Sequence, residues 1–510
     1  MIVSGKDLTA DLSLDVDAVV VGTGAGGSIA LRELARAGLH VVGFEEGAHH
    51  TTKDFTQRED QMFPALYADG GGRTTSDLAI RVLSGRGVGG STVHNTNLCK
   101  RTPDQILDLW ARRYGVSGAS VADMAPSFAA IERDLSVSPI PRALLNGNND
   151  VMRRGVEALG WKGGMLAHNR VGCRASGFCE LGCAYDAKQN ALKIVVPQAL
   201  AAGATVYADS HVERVTFAGA NGGRATGVVA TARDGQGKVT ATITVRARVV
   251  VLAASAVGSS ALAVKSGLPD PHDQLGRGLR LHPAGVVAGN FDVAPLSGQG
   301  IPQSYECTEW LDLAEGSDRR VWLVPVFAHL VGVASLLPGF GAGHMRSLRQ
   351  MNNLAVVTAM VHDETSGTVS VDGDGRPKLD YALLESDRRQ LAQGLHAGAK
   401  ILFAAGAREV SFPAIPPITL RSPRELDRLD MSFVRSHGVP LSAVHPMGGM
   451  RLGDDPKTST VSSTGEHHQV KGLFVSDGSL FPTSLGGPPQ ISIYSFALHL
   501  APHVIERARG

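Results

Sequence analysis

The sequence has no apolar run long enough to cross a bilayer; no stretch reaches the roughly 18 uninterrupted apolar residues that a spanning helix needs. Its opening, MIVSGKDLTADLSLDVD, lacks the apolar segment of a signal peptide. A cytoplasmic chain with no integral membrane segment is the expectation. There is no excess of charge either. Lys plus Arg number 49 against 48 Asp plus Glu, so nothing favours nucleic acid or an acidic membrane surface as a partner. Cysteine is sparse. Cys99, Cys173, Cys179, Cys183 and Cys307 are odd in number with three clustered, which makes no disulfide framework and suits a reducing compartment.

What the sequence does have is length, glycine and apolar residues at regular spacings. Its 510 residues, 43% hydrophobic, are enough for two or three domains with their own cores. The stretch DAVVVGTGAGGSIALRELARAGLHVVGFEEG, residues 17–47, organises the rest. Four apolar residues, 18–21, run into Gly22, Gly24 and Gly27, spaced G-x-G-x-x-G. A helical pattern follows (Ile29, Ala30, Leu34, Ala37), and a second apolar run, 39–44, ends at Glu45, 18 residues past Gly27. Strand, glycine turn, helix, strand and acid together form a βαβ dinucleotide fingerprint. Gly22 permits the tight turn, Gly24 lets backbone approach a pyrophosphate, and Gly27 lets helix pack on strand. The helix N-terminus faces the phosphates and Glu45 can accept from ribose hydroxyls.

Further along, GRGVGGSTVHN (85–95) has the small residues of backbone lying against a flat or anionic ligand. Residues 105–165 are expected to form a helical excursion. Cys173, Cys179 and Cys183, spaced C-x5-C-x3-C near His168, invite a metal reading. Zinc sites need four ligands with more closely paired cysteines, and the spacing does not match the common iron–sulfur runs, so structural thiols and no metal are expected. Strands are predicted over 204–208 and 211–217, a hairpin-like segment over 222–234 and 238–247, and a separate apolar strand over 248–254. Residues 289–436 alternate β segments (321–327, 354–362, 367–372) with a long helix, 385–405, as in an antiparallel sheet backed by helices. Within them HLVGVASLLPGFGAGHM, 329–345, contains no Asp, Glu, Lys or Arg. Two readings of it are open, a buried loop and an apolar lid over a substrate. The end of the chain carries a His-bearing loop, VHPMGGMRLG, then strand 473–476, a turn at Asp477 and Gly478, and a helix from Gln490 that Pro502 should kink or end.

Taken together these segments resemble the glucose–methanol–choline (GMC) family of FAD-dependent oxidoreductases, over nearly the whole chain. GTGAGG with Glu45 is similar to its FAD fingerprint and GRGVGGSTVHN to its first signature. LAASAVGSSALAVKSGL is similar to its second signature, with Ser255 where the family usually has Gly. HPMGGMRLG and FVSDGSLFPTSLGGPPQISI resemble its C-terminal active-site block. LRLHPAGVVAGNF and SGTVSVDGDGRPKLDY are closer to the bacterial long-chain or bulky alcohol oxidases and dehydrogenases. The implied fold is α/β: a Rossmann-like FAD-binding domain with a parallel sheet (1–288), an α+β substrate domain on an antiparallel sheet (289–436), and a return to the first domain (437–510).

The implied activity is FAD-dependent oxidation of a primary or secondary alcohol, apolar or bulky, with oxygen or another carrier as electron acceptor. By that resemblance Gly22, Gly24, Gly27 and Glu45 hold the ADP half of FAD, and Gly89, Gly90 and Asn95 lie along the pyrophosphate and isoalloxazine. Val212 pairs with adenine through its backbone, Asp477 binds the ribityl chain, and His445 is the base. Pro488 occupies a position where the family usually has His or Asn to hold the substrate oxygen. His445 then works alone, or Gln490 or a polar group of the second domain substitutes; the departure also leaves room for lyase or decarboxylase chemistry on the same fold. His94, directly before Asn95, resembles the histidine by which choline oxidases attach FAD covalently. Aryl-alcohol oxidases have a His here that is unlinked, so both states are open.

Overall fold

The computed structural model describes residues 1–219, 223–326, 329–337 and 339–510. Its first sheet is built on strand Leu12–Val21, whose last four residues are at most 5% exposed. β-Branched residues buried on both faces are what a parallel strand between helical layers needs. On one side lie Val41–Phe44, Thr205–Ala208 and Ile2–Ser4, all parallel. On the other lies Val239–Leu252, itself paired in parallel with Leu473–Val475 from the far end of the chain. Helix Ala25–Arg36 buries Ile29, Leu31 and Leu34 and packs against the C-terminal helix Gln490–Arg509.

Two predicted segments, 238–247 and 248–254, are one 14-residue strand, Val239–Leu252. Residues 239–246 pair antiparallel with Gly223–Arg233, while residues 243–252 pair parallel with Leu12–Val21. Burial alternates along its first half and is continuous along its last four residues. That change of pattern, from half-buried to fully buried sheet, imitates an element boundary in the sequence. Gly222, the predicted start of the partner segment, lies outside the described residues.

The second sheet runs Ile418–Leu420, Glu409–Phe412, Ala284–Asn290, Leu354–Val361, Val321–Pro325, Tyr305–Cys307 and Gly163–Met165, with antiparallel neighbours throughout. Helices Glu385–Ala404 and Gly147–Ala158 pack on it. Phe327, the predicted end of one strand, is outside the described residues. The sheets are not separated at 288/289, because strand Ala284–Asn290 straddles that position. Ile80–Val82 and Gly163–Met165, assigned by sequence to the first domain, join the second sheet, as does Leu441–Ala443 from the returning segment. The helical excursion is likewise shared. Trp110 and Phe128 enter the first core, Val151 and Val156 the second.

Helix Gln490–Arg509 does not end at Pro502. Beyond it Val504 and Ala508 are buried, and Arg507 pairs with Glu466 at 2.9 Å. This packing outweighs the backbone hydrogen bond that an internal proline removes.

Candidate active site

The fingerprint glycines do different jobs. Gly22 has φ +97°, and a Cβ on it would lie 2.2 Å from the Ala253 carbonyl oxygen. A Cβ on Gly27 would lie 1.9 Å from the oxygen of Gly22, and one on Gly26 only 1.5 Å from that of Ser476. Gly24 is the exception. A Cβ there would meet nothing nearer than Gly90 Cα at 3.8 Å, and Gly24 opens onto a cavity of about 370 Å³, within the range of small-molecule sites. Gly90, at φ +53°, brings the second glycine loop against the first: its Cβ would be 2.9 Å from Gly24 Cα. The spacing rule passed over Gly26, because the atom that forbids a side chain there is 450 residues away in sequence.

Glu45 braces these loops. Its carboxylate accepts hydrogen bonds from Thr23 N (3.2 Å), Thr23 Oγ1 (2.8 Å), Gly47 N (3.2 Å) and Gly87 N (3.0 Å). Burial, with the Glu46 charge beside it, nevertheless raises its pKa to about 7. Asp477 is similarly occupied, accepting from Ser259 Oγ at 2.5 Å and from Ser479 N at 2.8 Å, and burial raises its pKa. Val212, on strand Ser210–Ala218, lines the same end of the cavity.

Further along the cavity, His94 is 7% exposed and packs its ring on Tyr67, with centroids 3.9 Å apart. Its Nε2 is buried without a hydrogen-bond partner, and burial, reinforced by the Lys188 charge, lowers its pKa to about 3. Lys188 holds the loop on either side of His94: its ammonium donates to the carbonyls of Val93 (2.8 Å) and Asn95 (2.6 Å). Asn95 Nδ2 donates to Gln490 Oε1 at 2.8 Å, and Gln490 Nε2 donates to the Leu98 carbonyl at 2.6 Å. Both ends of the Gln490 amide are therefore engaged by protein. Pro488, Pro489 and Gln490 line the cavity where the C-terminal helix begins, and no side chain caps that helix.

His445 stands on the returning loop just after strand Leu441–Ala443, facing the cavity and enclosed enough that desolvation lowers its pKa to about 3. Its Nδ1 lies 3.1 Å from Nδ1 of His282, a residue with no exposed surface that does not line the cavity. His282 has φ +55°, and the Asp363 carboxylate accepts from the backbone N–H groups of Leu281 (3.0 Å) and His282 (3.3 Å). Tyr381 donates to the same carboxylate at 2.5 Å. The neighbouring His362 Nδ1 is 2.9 Å from Ser484 Oγ. Sequence reasoning used the LHP segment only as family texture and missed His282, His362 and Asp363. Their one signal was an unassigned His beside a proline at the head of a strand. Trp322, Val326 and Met360 add an apolar wall near His445, and Thr96 and Gln303, bonded to each other, add a polar spot.

Of the predicted residues, Gly22, Gly24, Glu45, Gly90, His94, Asn95, Val212, His445, Asp477 and Gln490 all line this cavity. Gly27 and Gly89 do not. They shape the turns behind it, where Gly89 has φ +95° and a Cβ on it would lie 2.8 Å from Leu192 Cβ. Cys173, Cys179 and Cys183 are free thiols lying apart from His445. The buried-loop reading of 329–345 is not what forms. Helices Leu330–Leu336 and Gly341–Arg349 form instead, with Leu330 and Val331 and the 94%-exposed Phe340, which caps the second, facing outward. The first is anchored through Glu59, which accepts from Val331 N at 2.6 Å. Pro338, within that stretch, is outside the described residues.

A cavity that opens on a dinucleotide turn in one domain and reaches an imidazole beside the sheet of another marks the two-domain nucleotide-cofactor oxidoreductases. Family models described as GMC oxidoreductase match residues 63–284 and 363–497. An uncharacterized GMC-type oxidoreductase of Mycobacterium tuberculosis is 35% identical over 99% of this chain and 79% of its own length. The chain belongs to the GMC oxidoreductase family. A long-chain-alcohol oxidase of Arabidopsis thaliana is 29% identical over 96% of this chain and 67% of its own. Among solved structures, pyridoxine 4-oxidase (source given as Mesorbium loti) superposes with TM-score 0.72 at 18% identity, covering 96% of this chain and 98% of that one. A formate oxidase superposes with TM-score 0.71 at 14% identity over the same shares. These two likenesses show the fold alone. FAD is the family's cofactor, and the site fits it: Gly24 leaves space where backbone must approach phosphate, the helix N-terminus is uncapped, and the His94 Nε2 is unpartnered. Among the described residues no helix is long and apolar enough to cross a membrane.

Proposed function

We propose that the chain oxidises a primary or secondary alcohol, apolar or bulky, to the aldehyde or ketone, with His445 as the base. The observation that carries this reading is the His445 imidazole itself, neutral, enclosed and facing the cavity that begins at the fingerprint. Held at about pKa 3, it is deprotonated throughout the neutral range. With Nδ1 turned to His282, its Nε2 is the nitrogen left to take the alcohol O–H proton. Bound FAD supplies the acceptor for the hydride that leaves the same carbon.

The other residues bind and orient. Gly22, Gly24, Gly27 and Glu45 would hold the ADP half of FAD and Val212 the adenine. Gly89, Gly90 and Asn95 would lie along the pyrophosphate and ring, and Asp477 would hold the ribityl chain through its backbone, its carboxylate being occupied. The uncapped N–H groups at the start of Gln490–Arg509 would favour the negative charge that builds up on reduction. Gln490 is tied to Asn95 and Leu98, so it does not replace the donor missing at Pro488. The apolar wall of Trp322, Val326 and Met360 supports an apolar substrate, as does the similarity to proteins named long-chain-alcohol oxidases. Helices Leu330–Leu336 and Gly341–Arg349 would serve as its lid, and oxygen or another carrier would take the electrons.

Anaerobic addition of alcohols to the yellow protein tests the reading: the flavin band should bleach with a long-chain or bulky alcohol. A band that no primary or secondary alcohol bleaches overturns it. The unpartnered Nε2 of His94 favours one further reading, a covalent tether to the cofactor. Colour that stays with the acid-denatured pellet, and leaves it in His94→Ala, supports the tether; free FAD in the wild-type supernatant excludes it.

A further inference from the structure

We infer that His282 is a positioning residue that sets which nitrogen of His445 is free to act as base. The inference rests on the reading of His445 as that base. Two Nδ1 atoms 3.1 Å apart share one proton, so the pair has two neutral arrangements. With the proton on His282 Nδ1, His445 carries its own proton on Nε2 and can only donate into the cavity. With the proton on His445 Nδ1, His445 Nε2 presents a lone pair there, and His282 carries its proton on its buried Nε2, which has no hydrogen-bond partner, so this arrangement bears the cost of one unpaired N–H. Only the second arrangement is competent to take a proton from an alcohol.

The second arrangement also needs no rearrangement during the reaction. Once His445 has accepted a proton on Nε2, both its nitrogens carry hydrogen, and its Nδ1–H must be received by an acceptor. His282 Nδ1 is that acceptor before and after the transfer, so one tautomer of His282 serves both states of His445. The surroundings hold His282 still. Its left-handed backbone is fixed by Asp363, which bonds Leu281 N and His282 N and is itself bonded by Tyr381. Asp363 and the two residues after it are anchored in turn: Arg280 donates to the carbonyl of Thr365 at 2.7 Å, and Asp387 accepts from Thr365 N at 2.7 Å. A chain of contacts thus runs from the start of helix Glu385–Ala404, in the second domain, to the imidazole that faces the cavity.

Substitutions separate positioning from packing. In His282→Asn the amide oxygen stands the same number of bonds from Cα as Nδ1, so it can receive the His445 Nδ1–H, and asparagine tolerates a positive φ. His282→Leu has similar bulk at that point and no acceptor. The holoenzyme of His282→Leu should reduce its flavin about 10- to 100-fold more slowly, the worth of one hydrogen bond to a charged partner, with KM little changed. His282→Asn should retain most of the wild-type rate. FAD content and melting temperature, measured on both, report any loss of fold. A second measurement needs no variant: in the wild-type holoenzyme the 15N shift of His445 Nε2 should be that of an unprotonated ring nitrogen near neutral pH. Equal rates in the leucine and asparagine variants, or a protonated His445 Nε2, overturn the inference. Wild-type reduction in His445→Ala would instead overturn the underlying assignment of the base.

Discussion

At the fingerprint end of the cavity the glycines are hemmed in by backbone: Cβ atoms on Gly26 and Gly27 would fall 1.5 and 1.9 Å from carbonyl oxygens. At the other end, His282 and His445 meet through side chains that come from positions 163 residues apart. The first end tolerates almost no atom more than it has, while the second depends on where two protons sit. Steric exclusion reads out as a residue type, glycine, whereas proton placement leaves no compositional trace. Within the glycine end the same contrast recurs on a smaller scale. Gly26 is closed by Ser476, and Gly24, two residues earlier, faces open space.

Substitutions can break that comparison, and the largest effect is expected at Gly26. A methyl group 1.5 Å from the Ser476 oxygen forces apart the fingerprint helix and the returning turn. Gly26→Ala should cost more than about 3 kcal/mol, enough to lose soluble protein or lower the melting temperature sharply. A variant that melts like wild type would show that the two segments yield easily. At the imidazole end, His445→Ala should keep FAD and its melting temperature while slowing flavin reduction by roughly 10² to 10⁴, as read by anaerobic stopped flow. Gly24→Ala sharpens the contrast within the loop. The apoprotein should melt as wild type does, because its nearest neighbour is 3.8 Å away, while FAD binds about tenfold more weakly. Unchanged retention of FAD on dilution would remove Gly24 from the phosphate path.

The last effect concerns Glu45. Its folded pKa, about 7, lies above the ordinary value of 4.5, so the native apoprotein holds a proton that the unfolded chain releases. The stability this contributes is full below about pH 4.5 and is lost as pH rises through about 7. Glu45→Gln cannot titrate. The wild-type melting temperature should therefore fall relative to the Glu45→Gln variant between pH 5 and about 8. A constant difference across that range would mean that Glu45 is ionised throughout.

Much of this was readable beforehand, and the exceptions have physical causes. The strand–turn–helix of the fingerprint depends on contacts between near neighbours, so hydrophobic period and glycine spacing suffice to place it. Strand Val239–Leu252 was read as two elements because its exposure pattern changes where its partner changes. Of the two outcomes expected at Pro502, a kink or an end, the end does not occur, because Val504 and Ala508 beyond it are buried in packing the sequence does not show. The 288/289 boundary failed because strands of the two sheets alternate along the chain, at Ile80–Val82, Gly163–Met165 and Leu441–Ala443.

The sequence by itself determined the glycine turns, because they are written in local spacing, and through its resemblance to the GMC family it implied the α/β class and the residues that gather around one cavity. Tertiary structure alone decided that Glu45 braces three loops, that Gly26 must be glycine, and that His282 stands behind His445. Those contacts join segments whose separation along the chain carries no periodic signal, and an imidazole in a sequence does not say which of its nitrogens will meet another.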